Sequence, residues 1–193
     1  MHRRYRHAPC TGFALLAMLY MQGSHALQVE TLQTRFHEQA YQLTMTATLS
    51  APVDRVEAVL RDYASYPQLD ARILTSQVVS RSGPHQLELL TRINVCFAFL
   101  CRKVERVEKV EEKPGELLAT VIAARSDAQR GRTHTQLLQR NGHTQVIYVT
   151  EIVPKFWVPA LVGRSLMLRS LREATISLFT HIERRAAQEP VAS

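Results

Sequence analysis

The chain lacks the linear signatures that announce catalysis. It has no Gly-x-Ser-x-Gly elbow for a serine nucleophile, no glycine-rich phosphate loop and no dinucleotide fingerprint. Cysteine is scarce, with three in 193 residues. Cys10, Cys96 and Cys101 form no Cys-x-x-C redox motif, and with no patterned histidine beside them they make a poor zinc site. The eight histidines do not change this: His37, His85, His134, His143 and His181 show no His-x-x-x-His or carboxylate pairing of metal-site spacing, and His2, His7 and His25 sit in the first 26 residues. Asp62 and Asp70 flank a helix end and read as capping or solvated groups. Asp127, Arg130 and Arg132 cluster at a turn and read as a solvated loop. No metal, cofactor or catalytic residue is therefore assigned, although polar groups inside a cavity need no linear motif. Internal repeats, low-complexity tracts and linkers are also missing, and 193 residues suit one well-cored domain.

The N-terminus carries His2-Arg3-Arg4-Tyr5-Arg6-His7, an apolar run from Phe13 to Met21, and small residues at Ser24 and Ala26, the positions a signal peptidase reads. This predicts a cleaved signal peptide over residues 1–26 and a periplasmic or secreted protein. The rival is an uncleaved anchor, but the run falls short of the ~20 apolar residues a spanning helix needs. Cleavage removes three arginines and no acid, so the formal charge falls from +7 to +4. Such a mildly basic domain gives no case for nucleic-acid binding, while weak attraction to anionic lipid headgroups and a transient contact with a membrane surface stay open. Cys96 and Cys101 would then meet an oxidising compartment. If Leu87 to Val95 is one strand and Lys103 begins the next, they face each other across a hairpin loop. A disulfide there would stabilise the fold by roughly 2 kcal/mol in the chain-entropy model.

Periodicity supplies the architecture. Val29 to Arg35 reads as a strand turning through Phe36 to Gln39. Tyr41, Leu43, Met45, Ala47 and Leu49 then alternate with polar residues, as in a half-buried strand. After Ser50-Ala51-Pro52 the period changes, and Val53, Val56, Val59, Leu60 and Tyr63 mark one side of a helix that Pro52 starts and Tyr66-Pro67 should stop. Six strands follow, at Ile73 to Arg81, Gln86 to Cys96, Arg102 to Glu112, Glu116 to Arg125, Gly131 to Gln139 and Thr144 to Val153, divided by turn residues such as Asn141-Gly142. Val104, Val107 and Val110 are spaced by three, so residues 102–112 alone also fit a helix; the short connections on either side favour a strand. Pro159 should start a long last helix with Leu161, Ser165, Leu168, Leu171, Thr175, Leu178 and Ile182 on one face. A disordered tail is expected over 188–193.

In this order, Ser50-Ala51-Pro52 with Val56, Val59-Leu60, Asp62-Tyr63 and Tyr66-Pro67, then Phe156-Trp157-Val158-Pro159 before the last helix, resemble the START/SRPBCC superfamily. Its polyketide cyclase/dehydrase and coenzyme Q-binding branches are included, and the segment from Cys96 to Arg102 looks like the hairpin of exported bacterial members. The resemblance covers residues 29–187. It implies an α+β helix-grip fold, a curved antiparallel sheet of about six to seven strands around the C-terminal helix, with an apolar cavity for a lipid, sterol, quinone or polyketide. Candidate lining residues are Leu87, Leu89, Ile93, Val95, Tyr148, Phe156, Trp157, Leu168, Leu171 and Thr175. Any one of them could instead simply fill a core. Phe97-Ala98-Phe99-Leu100 at a hairpin tip, beside Arg102, is read as a gate, a membrane contact or a tip packed under the last helix. Three functions follow as expectations: a periplasmic carrier of a hydrophobic molecule or lipid, a cavity enzyme of the cyclase type, or a protein-interaction module.

Overall fold

The computed structural model describes residues 27–97, 100–158 and 163–188. The expected signal peptide, Pro159, Leu161 and nearly all of the expected tail lie outside them. Eight strands form one open antiparallel sheet in the order β1-β2-β8-β7-β6-β5-β4-β3. They are β1 (Gln28–His37), β2 (Ala40–Leu49), β3 (Ile73–Gly83), β4 (Gln86–Phe97), β5 (Leu100–Lys113), β6 (Glu116–Val121), β7 (Ala128–Arg140) and β8 (His143–Pro154). The helices are α1 (Val53–Arg61), α2 (Tyr66–Leu69) and α3 (Gly163–Ala187). The resemblance implied six to seven strands, and the eight found are those that periodicity marked, with β1 extending the ladder beyond β2 as an outer edge.

Alternation decides which face is inside. Tyr41, Leu43, Met45, Ala47 and Leu49 of β2 are all buried, as a strand with one covered face requires. Leu43, Met45, Ala47 and Leu49 pack with Val56 and Leu60 of α1 and with Phe179, Ile182 and Ala186 of α3. Residues 102–112 are strand, and the spacing of three among their valines has a simple origin. Val110 is buried on the concave face, whereas Val107 is buried on the other face, where Ser126 accepts its N–H and covers it. Pro67 does not stop a helix. α1 already ends at Arg61, and Pro67 occupies the first turn of α2, where its missing N–H costs nothing. The Tyr66 hydroxyl reaches back to the Leu60 carbonyl at 2.6 Å and ties the two helices together. Strand β6 is shorter than expected, because residues 123–125 form a 3-10 turn.

Cys96 and Cys101 are disulfide-bonded and sit opposite each other within the β4–β5 ladder, since both strands run further than expected. Two of the turns place both central residues at positive φ, the geometry that fits the twist of a two-residue hairpin. Asn141 (48°) and Gly142 (85°) suit it, but Glu38 (47°) and Gln39 (65°) do not. A side chain in the left-handed region costs ~1–2 kcal/mol, with Asn and Gly the tolerant residues. Glu38→Asn with Gln39→Gly should raise stability by about 1 kcal/mol, read as a higher urea midpoint at unchanged slope. An unmoved midpoint would show that this turn carries no such cost.

Candidate functional site

The two ends of α3 meet the sheet differently. Toward its C-terminus, Phe179, Ile182 and Ala186 are buried in the core. Nearer its start, Met167, Ser170, Leu171, Ala174, Thr175 and Leu178 repeat at three and four and face a cavity of about 220 Å³. The opposite wall is sheet: Ile73 of β3, Ile93 and Val95 of β4, Val104 of β5, and Tyr148, Thr150 and Ile152 of β8, with Phe156 closing one side. A second compartment of about 120 Å³ continues beneath α1 and α2, bounded by Leu60, Tyr63, Tyr66, Leu89, Thr91 and Leu117. The two share Ile73, Arg106, Tyr148 and Leu178 as their common wall. Together they fall at the lower end of the roughly 300–1,000 Å³ found for small-molecule sites. Asp70, Arg72, Asn94, Glu105 and Asp127 contribute polar atoms to the first compartment.

Of the residues proposed as lining, Ile93, Val95, Tyr148, Phe156, Leu171 and Thr175 border the first compartment and Leu89 the second. Leu87 points the same way along β4 but is fully buried against Tyr63 and Val110, in core rather than cavity. Leu168 lies off the face of α3 that lines the space, and Ser165 on the expected face is exposed. Trp157 is 82% exposed. Beyond Pro154 the chain is no longer strand, so no alternation turns Trp157 inward, and Phe156 alone joins the wall. Arg102 is exposed, and its guanidinium lies 5.2 Å from the centre of the Phe156 ring. Phe99 lies outside the described residues, as do the side chains of Phe97 and Leu100, so the hairpin-tip gate falls there too.

The sequence reading missed a polar cluster between the compartments. Arg106 and Glu108 stand in phase with Val104 and Val110 along β5, so all four face inward. Arg106 Nε is 3.0 Å from Glu108 Oε2 but poorly aligned for a hydrogen bond, and it is buried with no other partner. Tyr66 and Tyr148 lie beside this pair, close enough for both charges to act on their phenols. Both rings sit deep in the fold yet keep accessible surface, which is the surface of the cavity they line. Burial pushes the phenols of Tyr63, Tyr66 and Tyr148 above the ordinary tyrosine range, and for Tyr63 the hydrogen bond to Glu112 (2.6 Å) adds to this. All three therefore stay neutral near physiological pH. The expected loop carboxylates are structural: Asp127 accepts the Glu105 N–H at 2.8 Å, Asp70 pairs with Arg72 at 2.7 Å and Asp62 with Arg185 at 2.6 Å. Among the described residues no group of three or more His, Cys, Asp or Glu side chains is placed to hold a metal ion, and no helix is long and apolar enough to cross a membrane.

Neither a known protein-family model nor a curated protein sequence matches the chain. Solved structures do. The chain is similar to the Zhui aromatase/cyclase from Streptomyces sp. R1128, with 12% identity, a TM-score of 0.64 and coverage of 76% of this chain and 93% of that one. It is similar to a START superfamily protein from Mycobacterium smegmatis, at 14% identity and TM-score 0.61 over 75% of this chain and 96% of that one. A STAR-related lipid transfer protein from Xanthomonas axonopodis matches at 12% identity and TM-score 0.56, over 81% of this chain and 99% of that one. The fold is thus the helix-grip fold that these START and aromatase/cyclase structures share.

Proposed function

We propose that the protein binds and carries a hydrophobic small molecule or lipid in the periplasm, holding it between the sheet and α3. The observation that carries this reading is the division of labour inside the cavity. Its walls are largely aliphatic and aromatic, and Arg106 is the one charged residue common to both compartments, while Asp70, Arg72, Glu105 and Asp127 border the first alone. A mainly apolar guest gains about 2.5 kcal/mol per 100 Å² buried, before the cost of association. Arg106 Nε, buried without a hydrogen bond, supplies a donor for one acceptor oxygen on that guest. The ligand class that fits is an apolar body with a single carbonyl or hydroxyl. The basic, apolar, small-residue order of the first 26 residues and the Cys96–Cys101 disulfide support export.

The cluster also gives a cyclase reading its one argument, and the solved neighbours include an aromatase/cyclase. Its phenols fit a binding role better. Tyr63 donates its proton to Glu112 and Tyr66 to the Leu60 carbonyl, and burial keeps both from ionising. Neither serves as a base near neutral pH. The interaction-module reading gains nothing from a fold that leaves this much apolar space under its longest helix.

Native mass spectrometry of the protein recovered from an exporting bacterial host, followed by solvent extraction, tests the proposal. The expected result is a stoichiometric adduct whose extract contains a lipid or quinone-like molecule with one polar end. A bare polypeptide mass that stays bare after incubation with host lipid extract would overturn it.

A further inference from the structure

Trp157 is the chain's only tryptophan, and at 82% exposure it stands further into solvent than any other large apolar side chain of the described residues. Its neighbour Phe156 is in the cavity wall, so the indole marks the cavity's outer edge. Cations surround that edge. Arg102 lies over the Phe156 ring and pairs in the ladder with Val95, itself a lining residue. Lys155 directs its ammonium to the Ala123 carbonyl. Arg164, at the start of α3, lies 4.4 Å from the centre of the Phe36 ring, next to the β2–β8 end where Tyr41 pairs with Ile152. Among the described residues none of these three cations is within ion-pair range of a carboxylate, although nine other arginines and lysines are.

An exposed indole flanked by uncompensated cations matches one kind of surface. The amphipathic ring prefers the headgroup level of a bilayer, and the cations are attracted to anionic lipid. We propose that Trp157, Arg102, Lys155 and Arg164 dock this edge of the cavity on an anionic phospholipid bilayer, with the indole at the headgroup level. Docked this way, the protein presents the Phe156 side of the cavity to the lipid, so a guest passes between bilayer and cavity without crossing bulk water. The inference rests on the carrier reading and names the partner from which the guest is taken.

Because there is one tryptophan, its emission reports this site alone, whatever the N-terminal segment does. The purified full chain is titrated with vesicles of phosphatidylglycerol and phosphatidylethanolamine, and separately with phosphatidylcholine. Expected are a shift of Trp157 emission to shorter wavelength and quenching by brominated acyl chains with the anionic vesicles, both weakened by salt. Arg102→Glu with Lys155→Glu should weaken partitioning at least tenfold, since each cation near such a surface contributes about fivefold. Emission that stays that of a water-exposed indole at saturating anionic lipid would overturn the proposal. Equal shifts on both vesicle types, unaffected by the charge reversals, would overturn it too, as would a shift produced only by an added protein. Uptake of an apolar fluorescent dye in vesicle-free solution separates this from the carrier reading. Trp157→Ser should keep dye uptake while losing vesicle binding, and a wild-type protein that takes up no dye would count against the carrier reading instead.

Discussion

Glu183→Ala is expected to destabilise the protein by about 3 kcal/mol, the combined cost of leaving two part-buried donors without their buried acceptor. The reason lies in the passage from β2 into α1. Ser50-Ala51-Pro52 leaves the sheet without yet being helix, so its backbone groups must find partners elsewhere. Ser50 donates its N–H to both oxygens of Glu183, at 3.0 and 3.1 Å, and its hydroxyl to one of them. The Ala51 carbonyl accepts from the Thr144 hydroxyl at 2.7 Å, and the Val53 N–H is met by Gln139 at 3.2 Å. Pro52 has no N–H to place. Glu183 lies on α3 and is 1% exposed, so water cannot substitute for it. Glu183→Gln keeps one acceptor and should cost about 1 kcal/mol. The nearby Arg185–Asp62 contact is shorter than the Ser50 N–H contacts, at 2.6 Å, but its side chains are 34% and 43% exposed. Arg185→Ala should therefore cost less than about 1 kcal/mol. Urea unfolding followed by circular dichroism ranks the three; if Glu183→Ala cost no more than Arg185→Ala, the junction would not depend on this carboxyl group.

That junction also shows how far the sequence could be read. Its serine, alanine and proline were recognisable as a pattern, but the residue that satisfies it is 133 positions away and leaves no local trace. Elements with one clean covered face were legible, β2 above all. β5 was harder because both its faces are partly covered: Val107 turns to Ser126 while Val110 turns inward. The cavity was the hardest part, for a physical reason. A search for lining residues looks for bulk, yet a space persists only where side chains are small or stand back. Leu168 was expected in the wall, whereas the side of α3 that faces the cavity carries the short side chains of Ser170 and Ala174. The inward Arg106 and Glu108 were concealed similarly, since charged residues in a strand ordinarily mark its wet face. Their phase with Val104 and Val110 was the signal available.

Filling the space from α3 gives the largest expected effect on function. Ala174 lies one turn after Leu171 and one before Leu178, all three facing the cavity of about 220 Å³. A phenyl ring at position 174 enters volume that is already open. It therefore gains apolar contact without displacing packed neighbours, and Ala174→Phe should leave stability unchanged or raise it by up to about 1 kcal/mol. Co-purified ligand should fall at least tenfold. A core position would behave oppositely, because a ring forced into close packing costs ~1–3 kcal/mol. The pair of readouts, thermal midpoint and bound ligand, thus separates cavity from core. Arg106→Met supplies the second arm by removing the donor while keeping an apolar stem. Affinity for a ligand with a carbonyl or hydroxyl should drop about 10- to 100-fold, the worth of a hydrogen bond to a charged group, while a pure hydrocarbon dye should bind as before. If Ala174→Phe retained its ligand, the guest would sit elsewhere. Equal loss of both probes in Arg106→Met would make that arginine a support for the wall, and the ligand would then be chosen by shape alone.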